Sequence, residues 1–219
     1  MKQSLFASLR ALVLAAGLTG AITAQAHNIW LEDLPNGEVG FRFGEIGEKV
    51  ETSPGRLDAF TSLQGWTVAT NQFKLEKKSD HILLQGSKAS APVLAEEAGM
   101  PVRAVQNPRK TMFYARWQPA KSEAGEAALT LDIVPTGKAG EYKVTFRGQP
   151  LAEAKIKVEG DKGFTADLTS NAEGKVTFKA PSKGLFLLVC VHRETLAGFA
   201  GGKAFEGLTH SSTLSFRQP

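Results

Sequence analysis

Across the second half of the chain, apolar residues fall at every second position in short runs, and turn-forming residues break each run before it reaches helical length. Leu129, Leu131 and Ile133 alternate with polar neighbours, as do Tyr142, Val144 and Phe146, then Ile156 and Val158, then Val176 and Phe178. Successive side chains of a strand point to opposite faces, so this spacing buries one face and wets the other; a helix needs apolar residues three and four apart. Gly148-Gln149-Pro150, Glu159-Gly160-Asp161 and Asn171-Ala172-Glu173-Gly174 place turn chemistry at intervals of roughly 11–13 residues, the rhythm of a sandwich. The first half repeats the signal less regularly. Val39, Phe41 and Phe43 alternate with Gly40 and Arg42, residues 111–117 read as an aromatic strand, and one-turn helices fit near 54–60 and 93–100. The expected fold is all-β. The polar, small-residue stretch 118–127 reads as a linker, which gives two β-sandwich domains at 27–118 and 128–219.

The N-terminus sets the compartment. Lys2 and Arg10 flank an apolar or small-residue run over 11–22, and Ala24-Gln25-Ala26 has the small-x-small form of a signal-peptidase site, so residues 1–26 read as a cleaved signal peptide. The expected mature chain has 193 of the 219 residues, is periplasmic and begins at His27. An N-terminal histidine offers its amine and its imidazole to one ion through a six-membered chelate, a pairing no internal histidine has. Nothing later in the chain approaches the roughly 20 apolar residues of a membrane-spanning helix. Removing Lys2 and Arg10 takes the formal charge from +4 to +2, with the remaining Lys and Arg interleaved among Asp and Glu; this is no footprint for nucleic acid. A single cysteine, Cys190, leaves the fold to be held by its core without an internal disulfide.

Four histidines make up the imidazole inventory: His27, His81, His192 and His210. Residues 185–192 form a continuous apolar strand and residues 210–217 a second strand; antiparallel pairing sets His192 opposite His210, about 4.5–5.5 Å apart. Two imidazoles at that spacing, joined by His27, suit a first-row divalent ion: nickel, cobalt or copper, with zinc as a fourth option. An amine with two imidazoles resembles the histidine brace of copper proteins. Both kinds of donor must lose a proton to bind, so affinity falls in mild acid. His81 reads as a hairpin residue and Trp30 as a packing anchor. Cys190 shares a strand face with His192 and reads as a small buried hydrophobe. Glu45, Glu48, Glu194 and Glu206 are candidates for an oxygen ligand or for an acceptor of imidazole N–H.

Catalytic patterns are missing: the chain has no nucleophile elbow, no HExxH, no phosphate-binding loop and no dinucleotide fingerprint. The glycine-rich stretch 198–207 lacks the phosphate-binding order and reads as a ligand-covering loop or a plain hairpin. No enzymatic activity is expected.

The motifs HNIWLE at the expected mature start, FRFGE at 41–45, LDIVP at 131–135 and the run from Gly148 to His192 resemble the periplasmic proteins grouped as domain of unknown function 4198. That resemblance implies an N-terminal β domain followed by an immunoglobulin- or transthyretin-like module akin to the carboxypeptidase regulatory domain. It also implies a place in cobalt and nickel uptake, with a membrane metal transporter or an outer-membrane receptor as partner. Residues 136–144 depart from it, lacking the usual Asp-Pro. Two functions follow as expectations: capture of a transition-metal ion by His27, His192 and His210, or an envelope interaction module that binds a protein, peptide or glycan.

Overall fold

The computed structural model describes residues 27–69, 71–102, 106–119 and 123–219; the expected signal peptide, residues 1–26, lies outside them, as do residues 120–122 of the expected linker. The chain is all-β and builds three stacked sheets and a small hairpin. An outer sheet takes β1 (Asn28–Asp33), β2 (Val39–Gly44), β4 (Lys74–Lys77) and β5 (Ile82–Gln85), in the order β1-β2-β5-β4. The middle sheet has seven strands. Its order runs β12 (Thr165–Thr169), β11 (Lys155–Gly160), β14 (Gly184–Glu194), β17 (Gly207–Gln218), β7 (Arg109–Trp117), β6 (Val93–Glu97), β3 (Leu63–Thr67). The other outer sheet contains β8 (Leu131–Pro135), β9 (Glu141–Phe146), β10 (Gln149–Pro150) and β13 (Lys175–Thr177), and β15 (Gly198–Ala200) pairs with β16 (Lys203–Phe205) in the hairpin.

Two hydrophobic cores lie on the two faces of the middle sheet. Leu185, Leu187 and Val189 of β14 enter the first, with Ile29, Leu31, Val39, Phe41 and Leu84 of the outer strands. Phe186, Leu188 and Cys190 enter the second, with Leu131, Ile133 and Val144. A strand covered on both sides needs apolar residues at every position, which is why 185–190 carries no alternation. Each fully buried Leu or Phe contributes roughly 1.5–3 kcal/mol, so both cores are substantial. Both also draw on residues from each side of 118–127.

The middle sheet continues across that expected linker. β7 and β17 run parallel, from Gly207 opposite Arg109 to Ser215 opposite Trp117, and join three strands of the first segment to four of the second. A buried ion pair reinforces the junction. Arg116 Nε and Nη2 donate to the two Asp132 carboxylate oxygens at 3.0 and 2.7 Å, while the Ala128 and Leu129 amides donate to the same carboxylate and Glu126 O accepts from Arg116. Of the two helical turns expected, 54–60 holds one turn of 3-10 helix at Arg56–Ala59, whereas 93–100 is corrected to strand β6. Pairing on both sides, with β3 and with β7, outweighs the local pattern there.

Candidate functional site

The first strand pair delivers His27 to a cluster of charged side chains. Asn28 stands opposite Gly44 in the β1–β2 register, so one further step brings His27 beside Glu45. Two glycines then fold the chain back. Gly44 and Gly47 have φ of 144° and 74°, and a Cβ at Gly47 would lie 2.2 Å from the Asp161 carbonyl oxygen. The Glu45 amide donates to Lys49 O at 2.8 Å and the Glu51 amide to Phe43 O at 2.8 Å, which returns Glu51 to the same spot.

His27 Nε2 lies 2.6 Å from Glu51 Oε1, and the Glu51 side chain is only 9% exposed. An ionised carboxylate only accepts hydrogen bonds, so Nε2 carries the proton and donates it to this contact. Arg56 Nη1, a donor only, bonds to the same Glu51 oxygen at 3.3 Å and also stands 3.1 Å from His27 Nε2, which cannot accept from it while protonated; the shorter carboxylate contact decides the tautomer. Burial raises the Glu51 pKa, but hydrogen bonds from His27 and Arg56, with the charges of Lys49 and Arg56, outweigh it and hold the carboxyl below its ordinary value. In the neutral ring the Nδ1 lone pair is therefore free. It faces Glu45 Oε1 at 3.8 Å, too far for a hydrogen bond and within the span that two bonds of about 2.0–2.2 Å to one ion can bridge. The ring rests on Phe43, centroids 5.3 Å apart, beside a cavity of about 310 Å³ whose lining includes Met100, Thr111 and Phe113.

The other two expected ligands pair as the strand pattern requires: His192 stands opposite His210 in the β14–β17 register, with ring centroids 6.4 Å apart. His210 is 2% exposed and both its nitrogens have protein partners. Nδ1 accepts from the Tyr114 hydroxyl at 3.0 Å and Nε2 faces Glu194 Oε2 at 3.3 Å. Burial pushes the Tyr114 phenol up to about 12, so it keeps the proton it donates. Burial also lowers the His210 pKa below its ordinary value, against the pull of Glu194, which favours the neutral ring. His192 packs on Phe146 with centroids 4.5 Å apart.

The three histidines do not converge. His210 shares its face of the middle sheet with Tyr114 and Leu214 in the second core, whereas His27 lies over Thr111 and Phe113 on the opposite face. The sheet itself stands between them. Among the described residues, no group of three or more His, Cys, Asp or Glu side chains is arranged to hold a metal ion. His27 and Glu45 supply two side-chain donors at this spot.

The remaining candidates have other partners. His81 Nδ1 lies 2.8 Å from Asp80, Trp30 is buried in the first core, and Cys190 is buried in the second, its thiol pushed up to about 12. Glu194 Oε1 pairs with Arg147 at 2.9 Å. Glu51, Arg56 and Tyr114 carry no motif that marks them in the sequence. Glu51 carried one recoverable signal: it follows the glycine-rich turn after FRFGE, where a returning chain must face Phe43. Set against known proteins, the chain matches no family model, no curated protein and no solved structure.

Proposed function

We propose that the chain is exported, is cleaved after Ala26, and captures a divalent transition-metal ion at the new N-terminus for delivery to a membrane uptake system. The ion is cargo, not a catalytic cofactor, and the protein's role is binding. Cleavage frees the His27 amine beside Nδ1, and Glu45 adds an oxygen donor. Glu51 holds the ring in the tautomer that leaves Nδ1 unprotonated, as carboxylate partners of metal-binding histidines do. One observation carries the reading: the Nδ1 lone pair and the Glu45 carboxylate face each other at 3.8 Å while Nε2 is already bonded to Glu51. A lone pair and an anion so placed repel, and a cation between them, a metal ion or a proton on Nδ1, relieves that repulsion. Nitrogen and oxygen donors without thiolate suit copper, nickel, cobalt and zinc, with copper the tightest by the general order of divalent affinities. His192 and His210 have no part in this site.

The test is isothermal titration of copper, nickel, cobalt and zinc into correctly processed protein and into protein with one extra residue before His27. The expected result is a single tight site that the extension weakens at least tenfold. Equal affinity of the two forms would remove the amine from the site, and the absence of binding by both would end the metal reading.

The second reading, an envelope interaction module, draws on the β15–β16 hairpin. Phe199 in the middle of β15 is 73% exposed and Leu196 just before it is 46% exposed, and apolar side chains so displayed mark contact surfaces. Replacing both with serine lowers partner capture without altering ion affinity if that reading holds.

A further inference from the structure

At one end of the second core a cavity of about 430 Å³ opens between the end of β7, the turn after β8, and the end of β17. Tyr142, Phe178 and Phe216 give it aromatic walls, with the Phe216 ring 6.1 Å from that of Tyr142 and 6.4 Å from that of Phe178. Lys138 and Lys179 stand at its rim. Gln118 lines it while only 5% exposed, and its Oε1 has no hydrogen-bond partner among the described residues. Glu141, also in the lining, is already engaged by the Thr136 hydroxyl at 2.9 Å and by Lys138 at 3.5 Å.

Each of these features constrains an occupant. The volume lies within the range of about 300–1,000 Å³ typical of small-molecule sites. Flat aromatic walls favour a ring placed edge-on or offset against them. A buried acceptor lacking a donor is an unfavourable state that a ligand hydroxyl relieves. Turning Oε1 toward the cavity breaks no hydrogen bond of that oxygen. The two rim lysines favour a negative group at the mouth.

We propose that this cavity binds a small aromatic acid bearing a ring hydroxyl, which donates to Gln118 while the carboxylate faces Lys138 and Lys179. The site belongs to the second core and is independent of His27. The experiment titrates the processed, full chain with 4-hydroxybenzoate and with benzoate, which differ by the one hydroxyl. The expected result is saturable binding of 4-hydroxybenzoate, at least about tenfold tighter than benzoate, with the Tyr142 ring resonances shifting in its NMR spectrum. Gln118→Leu abolishes the preference, and Lys138→Ala with Lys179→Ala weakens both acids. Equal affinity for the two acids, a preference that survives Gln118→Leu, or no binding at millimolar concentration overturns the proposal. Should Gln118→Leu fail to fold, the unaltered protein still decides the matter through the two acids and the Tyr142 resonances.

Discussion

At the scale of single residues, the candidate site rests on how one imidazole divides its two nitrogens. Glu51 holds Nε2 and leaves Nδ1 toward Glu45. Glu51→Gln removes the anion that fixes this tautomer, and calorimetric titration of the processed variant is expected to give ion affinity about 10–100-fold lower, with the thermal midpoint of the ion-free protein changed far less. His210 makes the opposite use of the same ring, since both its nitrogens are spent inside the fold. Its pKa in the fold is lowered by burial from an ordinary value of 6.5. The unfolded chain therefore takes up a proton before the folded one does, and the stability His210 contributes is complete above that value and falls as pH drops below it. Unfolding free energy measured by urea denaturation between pH 7.5 and pH 5 should decline, and His210→Gln should flatten the decline. A slope unchanged by His210→Gln would assign it to other groups. Strand alternation alone set His192 opposite His210, because their register is local to one strand pair. Nothing local showed that His210 would be consumed by Tyr114, 96 positions away.

At the scale of elements, two devices lock the segments before and after 118–127 together. In the first, Arg116 of β7 meets Asp132 of β8 with side chains 1% and 0% exposed. Asp132→Ala strands a buried guanidinium and is expected to cost about 3–5 kcal/mol in chemical denaturation. Arg116→Met combined with Asp132→Leu should recover much of that loss, because an apolar pair removes both charges together. In the second, the turn after β2 presses Gly47 onto Asp161. Gly47→Ala asks for a Cβ where the Asp161 carbonyl stands, at a φ of 74°, and should destabilise by about 1–3 kcal/mol. A loss under about 0.5 kcal/mol would mean that the contact is easily relaxed. The strands themselves were legible wherever one face is wet. Strand β6 resembles a helical turn in sequence because Leu94 and Ala95 enter opposite cores, which erases the period-two signal over a short segment.

For the whole molecule, the parallel seam between β7 and β17 is the feature least available to sequence reading. Its partners lie about a hundred residues apart, and the hydroxyl-rich centre of β17, Ser211-Ser212-Thr213, gives little apolar signal although it is buried. Because the middle sheet and both cores take residues from each side of 118–127, the fold should unfold as one cooperative unit. In a Trp66→Phe variant, which removes the tryptophan packed on the second core, fluorescence from Trp30 and Trp117 of the first core should coincide in urea with the loss of the Tyr142 ring resonances beside the second, and two separated transitions would show independent units. The all-β class was readable because alternation survives on the outer strands, whereas the layering is decided by the strands that have none. The same layering parts His27 from His192 and His210 and leaves His27 with Glu45 as the candidate centre, joined by the His27 amine in the proposed processed chain. Anomalous X-ray scattering from crystals of the processed protein soaked with copper or nickel tests that directly. One strong peak is predicted within bonding distance of His27 Nδ1, its amine and Glu45; a peak between His192 and His210, or none at His27, would contradict it.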